Sequence, residues 1–266
     1  MPGSVDEVSP GKPLNVGETR RGRGGALLIA ERIVRRREFG PLLGALVLVL
    51  IFSSLTSKFF SPQEVSGLTS LASSVGIVAI GVTFLMIAGE FDLSVGAVFA
   101  LSEVLFGKFL SDLQMTPIVA LLAVLGIAAL IGLVNGLVTT GFGIPSFITT
   151  LAMLMFVQGV DVVISQGNTI LFFGHTWVLT LMGARIGQGF AAPVVWLLAI
   201  TFVAWYVLEH TRYGNWVRAA GGRTGVARTM GVPARRVKIN NFIVCSTVAT
   251  MANSSRSWPS AAEAAP

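Results

Sequence analysis

From Leu113 to Val160 the chain runs 48 residues without a single charged side chain, and no water-soluble fold accommodates such a block on its surface. A helix crossing a bilayer needs roughly 20 apolar residues at about 1.5 Å each. The block is therefore long enough for two crossings, and Gly141, Gly143 and Pro145 mark the turn between them. Three further uncharged stretches are each long enough for one crossing: Phe39 to Ser57, Val65 to Gly89 and Ile186 to Leu208. With 53% hydrophobic and 12% charged residues, the chain falls well below the roughly 25% charged residues of soluble domains. Lipid is the expected solvent, and the expected fold class is all-α, a polytopic transmembrane helical bundle.

Leu93 to Leu110 is apolar but carries Glu103 and Lys108, and charge placement decides whether it crosses. Eight of the 19 Lys and Arg residues lie between Lys12 and Arg37, and seven more between Arg212 and Lys238, where no acidic residue accompanies them. Cytoplasmic loops retain basic residues, so both segments are expected on the cytoplasmic side of a bacterial inner membrane. Two ends on one side require an even number of crossings. Spans near 40–57, 66–88, 117–139, 145–164 and 190–208 make five, so 94–110 is expected to cross as the sixth. The net charge of +6 then reflects topology or a membrane-surface patch, and nucleic acid is not an expected partner. The polar leader of 38 residues is too long for a cleaved signal sequence, so the first span is read as retained.

The resulting organisation is a cytoplasmic basic arm (1–38), a transmembrane domain (39–252) and a cytoplasmic loop within it (209–238). A Ser-, Ala- and Pro-containing tail without periodicity (253–266) follows, read as disordered. Residues 165–188, with Gln166, Asn168, His175 and Arg185, are expected outside, as a plain loop or a re-entrant element. Ile239 to Ala252 is too short and too polar for an ordinary span. Glycine pairs one turn apart, Gly40 with Gly44 and Gly132 with Gly136, suit close helix packing in lipid.

Catalytic and metal chemistry find no support. Cys245 is the only cysteine, and His175 and His210 are too far apart for a zinc motif. Neither histidine has a nucleophile and acid at the spacing of a hydrolytic triad. Lysine follows glycine only in Gly11-Lys12-Pro13 and Gly107-Lys108-Phe109, neither with the spacing or the Ser/Thr of a phosphate loop. The chain is expected to be no enzyme and to hold no cofactor of its own.

Two constellations remain. Gly89-Glu90-Phe91-Asp92-Leu93-Ser94-Val95-Gly96 puts two carboxylates at the junction of two spans, where they face an interface, a cavity or a partner. Asp92 there is also suited to capping the next helix. The second is the loop running through Thr211, Gly214, Ala219, Gly222, Ala227, Arg228 and Gly231, whose arginines, glycines and scattered apolar residues suit short surface helices that dock a soluble partner. Asn135, Thr139 and Gln158 are candidates for a polar substrate path and equally for interhelical hydrogen bonds.

The first run resembles the signature of the ribose/xylose-type sugar permeases of ABC importers, with Phe91 where isoleucine is commoner. Gly143-Ile144-Pro145-Ser146-Phe147-Ile148-Thr149-Thr150-Leu151 is similar to that family's segment before its next span, and the loop from Thr211 to Gly231 resembles its coupling loop. The resemblance covers residues 40–250. It implies a second permease copy, a separate ATPase subunit holding ATP and magnesium, and an extracytoplasmic sugar-binding protein. Family members continue beyond residue 250 with further spans and a Gly-rich segment, so a frameshift or truncation there, leaving a non-transporting remnant, is an alternative expectation. An ion-coupled carrier is another; it would need ionisable groups within its spans, and only Glu103 fits.

Overall fold

In a computed structural model, residues 39–168, 185–186, 190–222 and 224–254 are described. The basic arm and most of the segment at 165–188 lie outside them, as does the tail beyond Ser254. The chain forms two compact units, Met1–Phe59 and Phe60–Pro266. The first contains α1 (Phe39–Leu55), 17 residues apolar on all sides, as befits a helix surrounded by lipid.

The second unit contains α2 (Pro62–Ile87), α3 (Val95–Ser111), α4 (Pro117–Phe142) and α5 (Ser146–Ser165). A minimal hairpin, β1 (Arg185–Ile186) against β2 (Phe190–Ala191), leads into α6 (Ala192–His210). Two short helices, α7 (Arg212–Gly221) and α8 (Thr224–Thr229), precede α9 (Ala234–Ser254). Local chemistry sets the boundaries. Pro62 and Pro117 occupy first-turn positions where a missing N–H costs nothing, and the Ser61 hydroxyl accepts from Glu64 N–H. Gly143 ends α4 in the left-handed conformation (φ 70°), with Pro145 just beyond.

Among the described residues, α2, α4, α5 and α6 are long and apolar enough to cross a membrane, and α1 is a shorter apolar helix. The polytopic helical bundle expected from the sequence is present. Its centre holds a surprise. Ile239–Ala252, too short for a span by itself, lies within the 21-residue α9, which takes in Ala234–Lys238 from the expected loop. At about 1.5 Å per residue it is long enough to traverse the bundle. Its polarity is tolerated because protein surrounds it: Asn241, Phe242, Cys245, Ser246, Ala249 and Thr250 are all buried.

Close contacts give the helix directions. A Cβ on Gly132 would lie 2.5 Å from the Phe242 carbonyl oxygen, and one on Gly136 2.9 Å from Ile239 Cα, so α9 runs antiparallel to α4. Gly81 meets Cys245 and Val248, while Asn241 Nδ2 donates to the Phe84 carbonyl (3.0 Å), so α9 is also antiparallel to α2. The Ser102 and Thr250 hydroxyls share a hydrogen bond (2.8 Å) beyond the starts of both helices, so α3 and α9 run together. Hence α3, despite Glu103 and Lys108, passes through the bundle. Ala97, Leu101, Leu105 and Phe106 of α3 form the main apolar core with Ala120 and Val124 of α4 and Val157 of α5.

Candidate functional site

The two constellations singled out by the sequence meet at one end of the second unit. There α2 ends, α3 and α9 begin, and α7 packs across them. Ala88, Val217, Ala220, Ala234 and Val237 form a small apolar core with Ile87, Leu208 and Tyr213 around it. Gly221 at the end of α7 lies so close to α2 that a Cβ would sit 1.9 Å from the Ile87 carbonyl oxygen. Gly89 turns the chain out of α2 with φ +77°, and a Cβ there would lie 3.4 Å from Gly221 Cα. Gly96 belongs to the same run but is exposed, with nothing within 4 Å of a Cβ.

Each polar residue of the Gly89–Gly96 run has a definite role. Lys238 Nζ donates to Glu90 Oε1 at 2.6 Å, an ion pair largely shielded from solvent. Asp92 is 1% exposed, and its Oδ1 accepts from both the backbone N–H (2.7 Å) and the hydroxyl (2.6 Å) of Ser94. Asp92 thus fixes the turn at Ser94, the residue just before α3, and accepts from no N–H within the helix itself. Asn135 Nδ2 donates to Ser94 Oγ (2.9 Å), joining α4 to this turn. From α5, the Ser146 hydroxyl accepts from Phe91 N–H (3.2 Å) and the Thr150 hydroxyl from Leu93 N–H (3.1 Å). Burial pushes the Asp92 carboxyl above the ordinary carboxylate range, against the opposing effect of the Ser94 hydrogen bonds and, more weakly, of the neighbouring Asn135 side chain.

The loop has an inner and an outer face. Thr211 caps α7, accepting from Gly214 N–H (3.3 Å) and donating to the Val207 carbonyl (2.6 Å). Gly214 is buried, where a Cβ would lie 2.2 Å from the Leu208 carbonyl oxygen, and Ala227 is buried too. The Tyr213 hydroxyl donates to Asn241 Oδ1 (2.6 Å), and burial pushes this phenol up to about 12, so it stays a donor. On the outside, Arg212, Asn215, Trp216, Gly222, Val226 and Met230 are exposed, and Arg218 pairs with Glu209. Ala219 is half-buried between the faces. Gly231 closes the segment at φ +79°, before Pro233 and α9. The side chain of Arg228 lies outside the described residues.

Of the substrate-path candidates, Asn135 and Thr139 are buried one turn apart on α4, whereas Gln158 is exposed on α5. Asn135 belongs to the Asp92 turn, and no hydrogen bond joins it to Gln158 among the described residues. Sequence reasoning did not connect Lys238 or Asn241 with the site, and it placed Ser146, Thr150 and Tyr213 within motifs without their partners; all are tied to the site by contacts across many residues. The scattered apolar residues noted in the loop include Trp216, Val226 and Met230, all exposed.

Residues 64–254 match the protein family described as branched-chain amino acid transport system / permease component. The chain is 32% identical over 214 residues to the ribose import permease protein RbsC of Escherichia coli K12, covering 79% of this chain and 66% of that protein. It is 32% identical over 225 residues to the xylose/arabinose import permease protein XylH of Sulfolobus acidocaldarius, covering 82% and 62%. The fructose import permease protein FrcC of Rhizobium meliloti is 30% identical over 219 residues, covering 80% and 61%. The chain thus spans just under two thirds of the length of these relatives. No solved structure matches it. With the family match extending from the start of α2 to the end of α9, over a helical bundle with spans of membrane length, this chain belongs to the branched-chain amino acid transport system permease family.

Proposed function

We propose that the chain is a membrane-spanning permease subunit of an ATP-driven sugar importer, and that the Thr211–Val232 segment docks a separate ATPase subunit. One observation carries this reading. The inner face of α7 is packed backbone to backbone against α2, through Gly221 and Ile87, while its outer face presents Trp216 with Arg212 and Asn215, beside Val226 and Met230. A partner moving that outer face moves α2 and α9 with it, because no compressible layer separates them. The sugar assignment rests on the named relatives. The same reading brings a second permease copy, an extracytoplasmic sugar-binding protein and a cytoplasmic N-terminal arm.

The test is co-purification with the cognate ATPase from membranes. Trp216→Glu and Met230→Glu, both on exposed positions, are expected to weaken recovery at least ~10-fold, the effect of losing a central interface anchor. Unchanged recovery of the ATPase with both variants removes this segment as the docking surface.

A further inference from the structure

The connection between α2 and α3 holds two carboxylates, and one cation serves them. Lys238 is engaged by Glu90 at 2.6 Å. Asp92, two residues on and nearly inaccessible, has no ion pair among the described residues. An ionised carboxylate buried without a counter-charge costs several kcal/mol, so such a group is ordinarily paired, metal-bound or neutral.

The hydrogen bonds around Asp92 are lopsided. Oδ1 takes both donors of Ser94, whereas the buried Oδ2 has no partner. An ionised carboxylate is acceptor-only at both oxygens, while the protonated form has one O–H donor and one carbonyl acceptor. Asn135, whose Nδ2 is committed to Ser94 Oγ in the same network, has a buried Oδ1 that also lacks a partner. Thus the turn lacks a donor at both remaining oxygens, and a proton supplies one. The surroundings reinforce this. The same turn is held by the Glu90–Lys238 pair, already neutral as a whole, by Asn135 from α4 through Ser94, and by Ser146 and Thr150 at the start of α5 through the Phe91 and Leu93 N–H groups. No group of metal-ligating side chains accompanies it among the described residues.

We propose that Asp92 is a proton-binding site: in the folded bundle its carboxyl keeps a proton on Oδ2 at neutral pH. The neutral acid lets α3, α4 and α9 close around the turn without a counter-ion. Desolvation favours this form, consistent with a carboxyl displaced above its ordinary range.

Infrared spectroscopy on the full chain in lipid nanodiscs at neutral pH tests this. The expected result is a protonated-carboxyl stretch that shifts on exchange into D2O and is lost in Asp92→Asn. Because asparagine copies the neutral acid in shape and charge, that variant is also expected to keep the wild-type melting temperature. Should it fail to fold, Asp6→Asn/Asp112→Asn/Asp161→Asn leaves Asp92 as the sole aspartate. Isotope-labelled aspartate then reports on that carboxyl alone. A label absorbing as carboxylate overturns the proposal, as does stabilisation by sodium or potassium ions that disappears in Asp92→Asn.

Discussion

Lys238 and Glu90 lie 148 positions apart in sequence and 2.6 Å apart in space, joining the second turn of α9 to the turn that leaves α2. Their side chains are 16% and 12% exposed, so either charge left alone is poorly hydrated. Glu90→Gln or Lys238→Met is expected to cost about 3 kcal/mol, the low end for breaking a buried pair. The double variant recovers most of it. Thermal unfolding in detergent, run as a double-mutant cycle, measures the coupling.

Glycines of the two recognition motifs are not equivalent. Gly221→Ala drives a Cβ into the Ile87 carbonyl and is expected to destabilise by at least ~2 kcal/mol, as overpacking does. Gly96→Ala enters open space in the first turn of α3 and is expected to stabilise by roughly 0.5–1 kcal/mol, since alanine is the better helix former. Melting temperatures of the two variants should move in opposite directions.

Cys245 is fully buried where α9 faces Gly81 and Leu85. Maleimide labelling of the native chain is expected to be undetectable over minutes and to become complete in SDS. Gly132→Leu, which wedges α4 away from Phe242, is expected to make the thiol reactive without denaturant.

Tyr213 holds α7 to α9 by its hydroxyl. Tyr213→Phe leaves the buried Asn241 Oδ1 without its donor and is expected to cost ~1–3 kcal/mol. Asn241→Leu in the same background should recover little, because Asn241 Nδ2 also holds the Phe84 carbonyl.

Glu103 separates energy sources. If uptake is driven by a docked ATPase, Glu103→Gln retains transport in reconstituted vesicles supplied with ATP. Loss of uptake with intact assembly would point instead to an ion-coupled carrier, in which a membrane carboxylate binds the coupling ion.

Much of the bundle was legible before any coordinates, because lipid imposes a length and a composition on each helix it surrounds. The spans at α2, α4, α5 and α6 follow from that rule. α9 does not. Asn241, Ser246 and Thr250 make it look unsuited to a membrane, and they are acceptable only because α2, α3 and α4 enclose them. Lys238 carries the same lesson: its sequence neighbours make it one of a run of topological charges, while its actual partner is a carboxylate on another helix. Spacing alone did mark one close approach, for Gly132 and Gly136 admit α9.

The place of α9 bears on how the protein is made. Ribosomes deliver α2, α3 and α4 to the membrane well before the helix that lies among them, so Asn135, Ser102 and the Asp92 turn enter the bilayer without their later neighbours. Until residues 234–254 emerge, the Phe84 carbonyl and the Ser102 hydroxyl lack the partners that α9 gives them in the folded bundle. Insertion of α9 therefore follows that of the helices it packs against, and its contacts tie together helices already delivered.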